Sequence, residues 1–416
     1  LDETTIPEKQ AAVDGASEDQ GVIVAQELRD LRAARDDLER RVHDLKLTRQ
    51  VTMQSLPSIR LVQENDKSLV TKINSTLVNT VPLWETQLAQ AVTIQRSSEA
   101  AKAVKEASDL TNELLTSNAK NLRQAVAKHH RLAAENVVIT HAGDEALRLA
   151  VTTFVSPDGV VASTEPTYSL YPVLAQIQGA QMFTQPLQAD WSLPADFADS
   201  VNEAGAQLTC VVNPHAPSGH FTSIATLRAL AEQLTGVLMV DEAYADFVDA
   251  EGAKDATELV RDLDNVLILR TFSKGYSLAG LRLGYLLGSP SLIEPILEKT
   301  RDSYNVDAIS QALGLASIDD QTYAQQTWRR VRKDRELLAA DLRQMGFYVA
   351  DSQTNFLLAQ VPNGASAEAL YQGLKAKGIL VRYFATPRLR NSLRITVGTA
   401  EQNQRLVDQL QELLQA

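Results

Sequence analysis

The sequence predicts an α/β protein: a large domain built on a mostly parallel sheet, a smaller α/β domain after it, and an elongated all-α helical segment before both. The first reason is a break in composition. Between Gly21 and Gly143 the chain has no glycine, and Trp84 is the only Phe, Tyr or Trp before Phe154. The second reason is that short apolar runs alternate with helical patterns beyond this break, as in sheets covered by helices. We therefore expect three parts, which are residues 1–121, 122–295 and 296–416.

Residues 1–121 are predicted to be helical almost throughout. Leucine and valine recur on the a and d positions of one heptad frame between Leu28 and Leu45, with charged residues around them, which is typical of a coiled coil. Pro57 and Pro82 are expected to divide the segment into successive helices. The segment contains no set of residues with recognisable catalytic chemistry.

Seven apolar runs in the large domain are predicted strands, bounded by polar or helical sequence. They are Asn136–Thr140, Val160–Thr164, Ala180–Thr184, Leu208–Asn213, Val237–Asp241, Asn265–Arg270 and Leu281–Leu287. Helices are expected between them at Asp144–Phe154, Leu170–Ile177 and Ile224–Leu234. Strands that alternate with helices favour a sheet that is covered on both faces.

The small domain is predicted to begin with one long helix. This helix starts near Ser291 and includes the charged run Arg329–Glu336. Four short strands and a closing helix are expected after it, at Phe347–Val349, Phe356–Val361, Ile379–Tyr383, Leu393–Val397 and Gln402–Leu414.

Composition excludes several classes of function. The net charge of −12 argues against nucleic acid or an anionic membrane as the main partner. Cys210 is the only cysteine, which excludes an internal disulfide and a cysteine-built metal site, and we expect no metal. Without an apolar run of membrane-spanning length or a secretory signal, a cytoplasmic protein is predicted. Because the chain begins with Leu1, we expect a fragment or a processed product.

Five polar clusters follow predicted strands of the large domain, where ligands bind in sheets of this type. The clusters begin at or centre on His141, Glu165, Asn213, Asp241 and Lys274. A lysine held between buried strands, with Arg282 nearby, can lose its proton and attack a carbonyl. Each cluster alone has an ordinary structural interpretation, such as a helix N-cap for Asp241. Five clusters in one ordered series favour a shared site.

Four segments resemble those of the fold-type I pyridoxal-phosphate aminotransferases, most closely the histidinol-phosphate aminotransferase group. They are RTFSKGYSLAGLRLGY, VDEAYADF, EPTYSLY and LRITVGT, and the resemblance covers residues 122–416. It implies pyridoxal 5'-phosphate as cofactor and transfer of an amino group between an amino compound and a 2-oxo acid such as 2-oxoglutarate. It also implies a place in histidine biosynthesis and a homodimer.

The resemblance assigns roles to individual residues. Lys274 would bind the cofactor covalently and move the proton at the reacting carbon, and Asp241 would keep the pyridine nitrogen protonated so that the ring accepts electrons. Tyr244 would hydrogen-bond the phenolic oxygen, and Tyr168 would stack on the ring. The other cofactor-binding residues would be Gly143, Asp144, Asn213, Ser273 and Arg282, with Asn355 and Arg394 for the substrate carboxylate and Arg382 for a substrate phosphate. A purely structural role for Arg382 is left open.

One departure from the family pattern lies in the loop N-P-H-A-P-S-G. Ala216 stands where the family usually has the asparagine that hydrogen-bonds the phenolic oxygen, which leaves Tyr244 to make this bond. We expect His215 to compensate in part. Loss of one such contact costs about 1–3 kcal/mol, so weakened rather than abolished chemistry is expected.

A second departure lies before residue 122. Residues 1–121 resemble the TelA-type toxic anion resistance family, through AQELRDLRAARDDLERRVHDLKLTRQ and the helical sequence after it. The aminotransferases have there an arm that closes over the substrate and a segment whose tyrosine reaches the partner's cofactor. Activity impaired by the missing arm is therefore expected. Two alternatives stay open: a helical interaction protein fused to an inactive aminotransferase, and a related pyridoxal-phosphate decarboxylase.

Overall fold

The structure, a computed structural model, describes residues 10–11, 119–249, 256–303 and 305–415. Of the segment predicted to be helical, residues 10–11 and 119–121 are described, and all of them are helical. The heptad pattern and the predicted helix breaks at Pro57 and Pro82 lie outside the described residues. The helix that contains residues 119–121 continues to residue 129.

The larger of two sheets has seven strands in the order β1-β7-β6-β5-β4-β2-β3. Six strands point the same way, and β7 alone runs antiparallel to its neighbours β1 and β6. Their bounds are β1 Val137–Thr140, β2 Val160–Glu165, β3 Gln181–Pro186, β4 Ala206–Val212, β5 Val237–Asp241, β6 Val266–Thr271 and β7 Gly284–Gly288. All seven predicted strands are present, and the prediction of a mostly parallel sheet is confirmed.

Helices cover both faces of this sheet. They are α1 Ala142–Phe154, α2 Leu170–Gln178, α3 Phe197–Glu203, α4 Ile224–Gln233, α5 Leu259–Asp262 and α6 Pro290–Pro295. Successive side chains of a strand point to opposite faces. In β6, Val266 and Ile268 accordingly join the core that includes α4, whereas Leu267 and Leu269 join the core that includes α1 and α2. The continuous apolar runs of the sequence therefore correspond to strands buried on both sides.

The single long helix predicted from Ser291 is wrong, because the structure has several shorter helices there. After α6, one π-helical stretch spans Ile296–Thr300, and α7 Ala308–Asp319 and α8 Gln321–Gln344 follow. New helices begin where aspartate caps free amides: Asp307 accepts from Ser310 N (2.8 Å) and Asp320 from Tyr323 N (3.2 Å). The predicted charged run lies within α8.

The small sheet has four antiparallel strands in the order β10-β11-β9-β8. The strands are β8 Tyr348–Val349, β9 Phe356–Gln360, β10 Arg382–Tyr383 and β11 Ser392–Thr396, and the helices are α9 Ala367–Ala376 and α10 Ala400–Gln415. One core joins them to α8. The boundary between residues 295 and 296 stays a prediction. None of the described helices is long and apolar enough to cross a membrane.

A buried arginine connects the two sheets. Arg335 of α8 has no solvent exposure. Its Nη1 donates to the carbonyls of Phe247, which follows β5, and Thr354, which precedes β9, both at 3.1 Å. Its Nη2 donates to the Asp249 carboxylate at 3.2 Å. The small sheet is thus tied to the carboxyl edge of the large one.

Candidate active site

Polar clusters predicted from the sequence meet at the carboxyl ends of the parallel strands. Arg282, in the connection that follows β6, donates to the Asp144 carboxylate at the start of α1 (2.6 Å). The Tyr168 hydroxyl, after β2, donates to the same carboxylate (3.3 Å). Lys274 Nζ lies 5.9 Å from the centre of the Tyr244 ring, after β5. Residues far apart in the chain therefore form one site.

Lys274 lies in the connection between β6 and β7, two strands whose residues are all buried. The Gly275 carbonyl accepts a hydrogen bond from Trp328 Nε1 (2.7 Å). A Cβ atom at Gly275 would lie 2.0 Å from the Asp246 carboxylate, so only glycine allows this approach. The Lys274 side chain is half-buried and has no acidic partner among the described residues. An amine held in this way suits attack on a carbonyl carbon and proton transfer.

Asp241 ends β5 and is buried. Its Oδ2 accepts from the Tyr171 hydroxyl (2.9 Å) and its Oδ1 from the Ala243 amide (3.1 Å). Burial raises the pKa of Asp241, against the opposing effects of the two hydrogen bonds and of Lys274. Because burial disfavours the charged form of this carboxylate, a cationic partner such as a protonated ring nitrogen stabilises it. The sequence prediction missed Tyr171, although the segment EPTYSLY signals it as a second tyrosine one helical turn after Tyr168.

The residues predicted to hold a phosphate have features that fit one. Ser273 Oγ is buried and has no hydrogen-bond partner among the described residues. Gly143 and Asp144 lie in the first turn of α1, where amides are free and the helix dipole favours an anion. Asp144 would contribute its amide, since its carboxylate pairs with Arg282. Ala142 and Arg282 have left-handed φ of 63° and 53°, a strain of order 1–3 kcal/mol each that clusters at functional sites.

Two tyrosines present their rings near these groups. Tyr168 is 42% exposed, and its ring packs edge-on against Tyr171 with the centres 5.8 Å apart. Burial and the Asp144 carboxylate raise the pKa of the Tyr168 hydroxyl. The Tyr244 ring packs edge-on against Phe356 of β9, at 5.1 Å. The two rings are available for the predicted stacking and phenolic hydrogen bond, which stay predictions.

The Asn213 side chain closes the loop between Asn213 and Thr222. Its side chain is fully buried, with Nδ2 donating to the Thr222 carbonyl (3.0 Å) and Oδ1 accepting from the Thr222 amide (2.8 Å). Both ends of the amide are thus engaged within the large domain. The predicted contact of Asn213 with the cofactor stays a prediction, and the structure assigns the residue a part in shaping the loop.

His215 does not compensate for Ala216. The His215 Nε2 donates to the Pro166 carbonyl (2.9 Å), and Nδ1 accepts from the Ser218 hydroxyl (2.7 Å). Neither ring nitrogen is left to replace the family's asparagine. Burial lowers the pKa of His215 to about 4, so the ring is neutral at pH 7. The expectation of compensation was wrong because the imidazole is used to join the loop to the segment after β2.

His215 makes stability depend on pH. Its pKa is about 4 in the folded protein and about 6.5 in an unfolded chain, so the unfolded state binds more protons between these values. The free energy of unfolding is therefore expected to fall by about 3 kcal/mol as the pH drops from 6.5 to 4. Urea titrations across this range measure it. His215→Gln should lose most of this slope, and an unchanged slope would contradict the assignment.

Two arginines lie side by side on the small sheet. Arg382 of β10 is paired in register with Arg394 of β11. The Phe384 ring lies beside both guanidinium groups, 5.1 Å from Arg382 Cζ and 5.7 Å from Arg394 Cζ. Burial and the charge of Arg394 lower the pKa of Arg382. Neither arginine has an acidic partner among the described residues, so the pair is suited to an anion. Asn355, also predicted to bind substrate, is buried at the entry to β9.

Two known families match the chain. The family described as "Aminotransferase class I and II" matches residues 85–410. The family described as "Toxic anion resistance protein (TelA)" matches residues 1–142. The two matches overlap over residues 85–142, and the join that we predicted near Leu122 lies inside this overlap. Both predicted resemblances are confirmed.

Individual relatives agree with the first match. Histidinol-phosphate aminotransferase 1 of a Nostoc species is 43% identical over 297 residues, which are 71% of this chain and 82% of the relative. Histidinol-phosphate aminotransferase of Microcystis aeruginosa is 38% identical over 295 residues, again 71% and 82%. The crystal structure of histidinol-phosphate aminotransferase from Sinorhizobium meliloti in complex with pyridoxal-5'-phosphate has a TM-score of 0.67 and 26% identity, covering 72% of this chain and 82% of that one.

Proposed function

The chain belongs to the aminotransferase class I and II family, and from this premise we propose that it moves an amino group from a histidinol phosphate-like amine to a 2-oxo acid such as 2-oxoglutarate, in histidine biosynthesis. The family and the relatives at about 40% identity support the reaction. The observation that carries the substrate class is the pair Arg382 and Arg394, which face each other across two strands without an acidic partner among the described residues. Both substrates bring anionic groups to such a pair.

Pyridoxal phosphate supplies, when bound, an aldehyde that exchanges amines and a ring that accepts electrons from the reacting carbon. Ser273, Arg282 and the amides of Gly143 and Asp144 would hold its phosphate. Asp241 would hold the ring nitrogen, because its buried carboxylate gains most from a cationic partner. These residues would form an anion-binding end and a cation-binding end, which match the two ends of this cofactor.

Lys274 would supply the base. Its amine has no acidic partner among the described residues, so it is free to form a covalent bond and then to take and return a proton. The Tyr244 ring lies beside the half-buried lysine and shields one side of it from water. A proton that Lys274 takes and holds away from water is more readily returned to a substrate carbon than lost to solvent.

Arg394 and Arg382 would hold the two substrates. A guanidinium binds a carboxylate or phosphate through two parallel hydrogen bonds, which fixes orientation as well as charge. We assign Arg394, with Asn355 beside it, to the carboxylate of the 2-oxo acid. We assign Arg382 to the phosphate of the amine. Each substrate would thus be held by its anionic group while its reacting carbon faces Lys274.

Arg382→Ala is expected to raise KM for histidinol phosphate by about 10- to 150-fold, because a hydrogen bond to a charged group contributes about 1.5–3 kcal/mol. The KM for 2-oxoglutarate should change far less. Arg394→Ala should instead raise KM mainly for 2-oxoglutarate and change KM for histidinol phosphate far less. Steady-state kinetics with each substrate varied in turn measure both, and Arg390→Ala, an exposed arginine between the two, serves as the control.

The reaction itself is tested on the unmutated chain with added cofactor. Formation of glutamate from 2-oxoglutarate and histidinol phosphate is expected, without release of carbon dioxide. Carbon dioxide release would instead establish a decarboxylase, and cofactor binding without either product would establish the inactive alternative. These three outcomes separate the proposed function from both alternatives.

We also propose that the chain acts as a homodimer, as the resemblance to its family implies. The segment that reaches the partner's cofactor in this family precedes residue 122, where the sequence matches TelA as well. Sedimentation equilibrium over a range of concentrations should show a dimer. A monomer at all concentrations with normal turnover would show that one chain suffices.

A further inference from the structure

The connection between β10 and β11 reaches across to the large domain. Arg388, in this connection, donates from Nη1 to the Leu187 carbonyl (2.5 Å) and from Nη2 to the Gln188 carbonyl. Its guanidinium also stacks on the Trp191 ring, with Cζ 3.9 Å from the ring centre. One side chain of the small domain thus makes three contacts with the turn that follows β3. We call these contacts the Arg388 clasp.

Trp191 is held in an unusual conformation to receive Arg388. Its φ of 71° is left-handed, which is costly for a bulky L-residue and persists only where the surroundings impose it. The turn is closed by hydrogen bonds from Trp191 N to the Gln188 carbonyl and from Gln188 N to the Ser192 carbonyl, both 2.9 Å. The Trp191 ring also stacks with His215, with centres 5.9 Å apart. The ring therefore contacts both the small domain and the NPHAPSG loop.

The Arg388 clasp is connected through His215 to the part of the site that would hold the cofactor. His215 donates to the Pro166 carbonyl, two residues before Tyr168. The NPHAPSG loop also contacts the small domain directly, because Gln353 N donates to the Gly219 carbonyl (2.8 Å). The position of the small sheet is thus set against residues that belong to the large domain's site.

The strands at both ends of the clasped connection carry the substrate arginines. Arg382 precedes it in β10 and Arg394 follows it in β11. The connection is itself folded, since the amides of Leu389 and Arg390 both donate to the Thr386 carbonyl. A fixed point at Arg388 therefore limits how far the pair Arg382 and Arg394 can move relative to Lys274.

We propose that Arg388 is a positioning residue of the reaction: through the Arg388 clasp it sets the distance between the substrate arginines and the large domain. The inference rests on the proposed function, because it takes Arg382 and Arg394 as the anion-binding groups. Arg388 itself contacts the large domain and not the substrate. Its loss should therefore weaken substrate binding and leave the cofactor residues in place.

Arg388→Ala is expected to raise KM for both histidinol phosphate and 2-oxoglutarate by about ten- to a hundredfold, as small misplacements of binding groups do. The visible absorbance of the bound cofactor and its affinity should stay unchanged. Arg390→Ala is the matched control, with the same charge in the same connection, and should leave both KM values unchanged. Arg388→Lys should recover little, because lysine lacks the planar fork that stacks and binds two carbonyls.

A double-mutant cycle identifies the partner. Trp191→Ala should reproduce the effect of Arg388→Ala, and the double variant should raise KM no further than either single variant. If the KM increases of the two single variants multiply in the double variant, the two residues act independently and the proposal is overturned. It is also overturned if the KM values of Arg388→Ala stay within twofold of those of Arg390→Ala. Absence of amino transfer in the unmutated chain would instead overturn the proposed function, so the two failures are told apart.

Discussion

Lys274→Ala is expected to abolish the visible absorbance that marks covalently bound cofactor and to lower turnover by at least about 10²–10⁴-fold, the range for loss of a general base. The physical reason is that this amine would both bind the cofactor and move the proton. Lys274 lies in the connection between β6 and β7 and beside Tyr244, without an acidic partner among the described residues. Absorbance spectra after dialysis and single-turnover rates measure the two effects.

The control for this substitution is Lys333→Ala, which removes an exposed lysine from α8 and should leave both the spectrum and the rate unchanged. Small primary amines added to the Lys274→Ala variant should restore part of the rate, because they enter the space of the missing side chain and accept the same proton. A variant that keeps the absorbance band would show that another group binds the cofactor.

Asp241→Asn is expected to lower kcat/KM by about 100- to several-thousandfold, the equivalent of the 3–5 kcal/mol lost when one partner of a buried charge pair is removed. Asparagine keeps the shape of the side chain and an acceptor for Tyr171. It lacks the negative charge that would keep the ring nitrogen protonated. The covalent absorbance band should remain, so spectra and kinetics separate this effect from loss of cofactor.

Tyr171→Phe tests the Asp241 carboxylate by removing one of its hydrogen bonds and keeping its charge. The Tyr171 hydrogen bond lowers the pKa of Asp241 and so opposes the effect of burial. Its removal should raise that pKa further, and the acid limb of the pH–rate profile should move to higher pH. The rate at neutral pH should fall by no more than about 10- to 150-fold, the range for one hydrogen bond to a charged group. An acid limb that does not move would show that Asp241 does not control it.

Much of the fold and the site could be predicted because the signals are local. Apolar runs such as Val266–Thr271 mark strands buried on both faces. Polar residues after such runs are brought together by the parallel topology alone. Glycine at 275, directly after the lysine, marks a close approach, which the structure shows to be the Asp246 carboxylate.

Other features depend on contacts between distant residues and gave no local signal. In the sequence, Arg388 is one arginine in a loop that contains a proline. In the structure it stacks on Trp191, which lies about 200 positions away in the chain. His215 was expected to face the cofactor, but its two ring nitrogens bind within the protein. The start of α7 did carry a local signal, the N-cap Asp307, which the prediction of one long helix overlooked.

Arg335 makes the two sheets thermodynamically dependent on each other. Its guanidinium, without solvent exposure, is shared by the Phe247 and Thr354 carbonyls. If the large sheet unfolded alone, the buried Arg335 charge would lose its bonds to the Phe247 carbonyl and to Asp249, and if the small sheet unfolded alone, the Phe247 carbonyl would lose its donor. Cooperative unfolding is thus built into the junction.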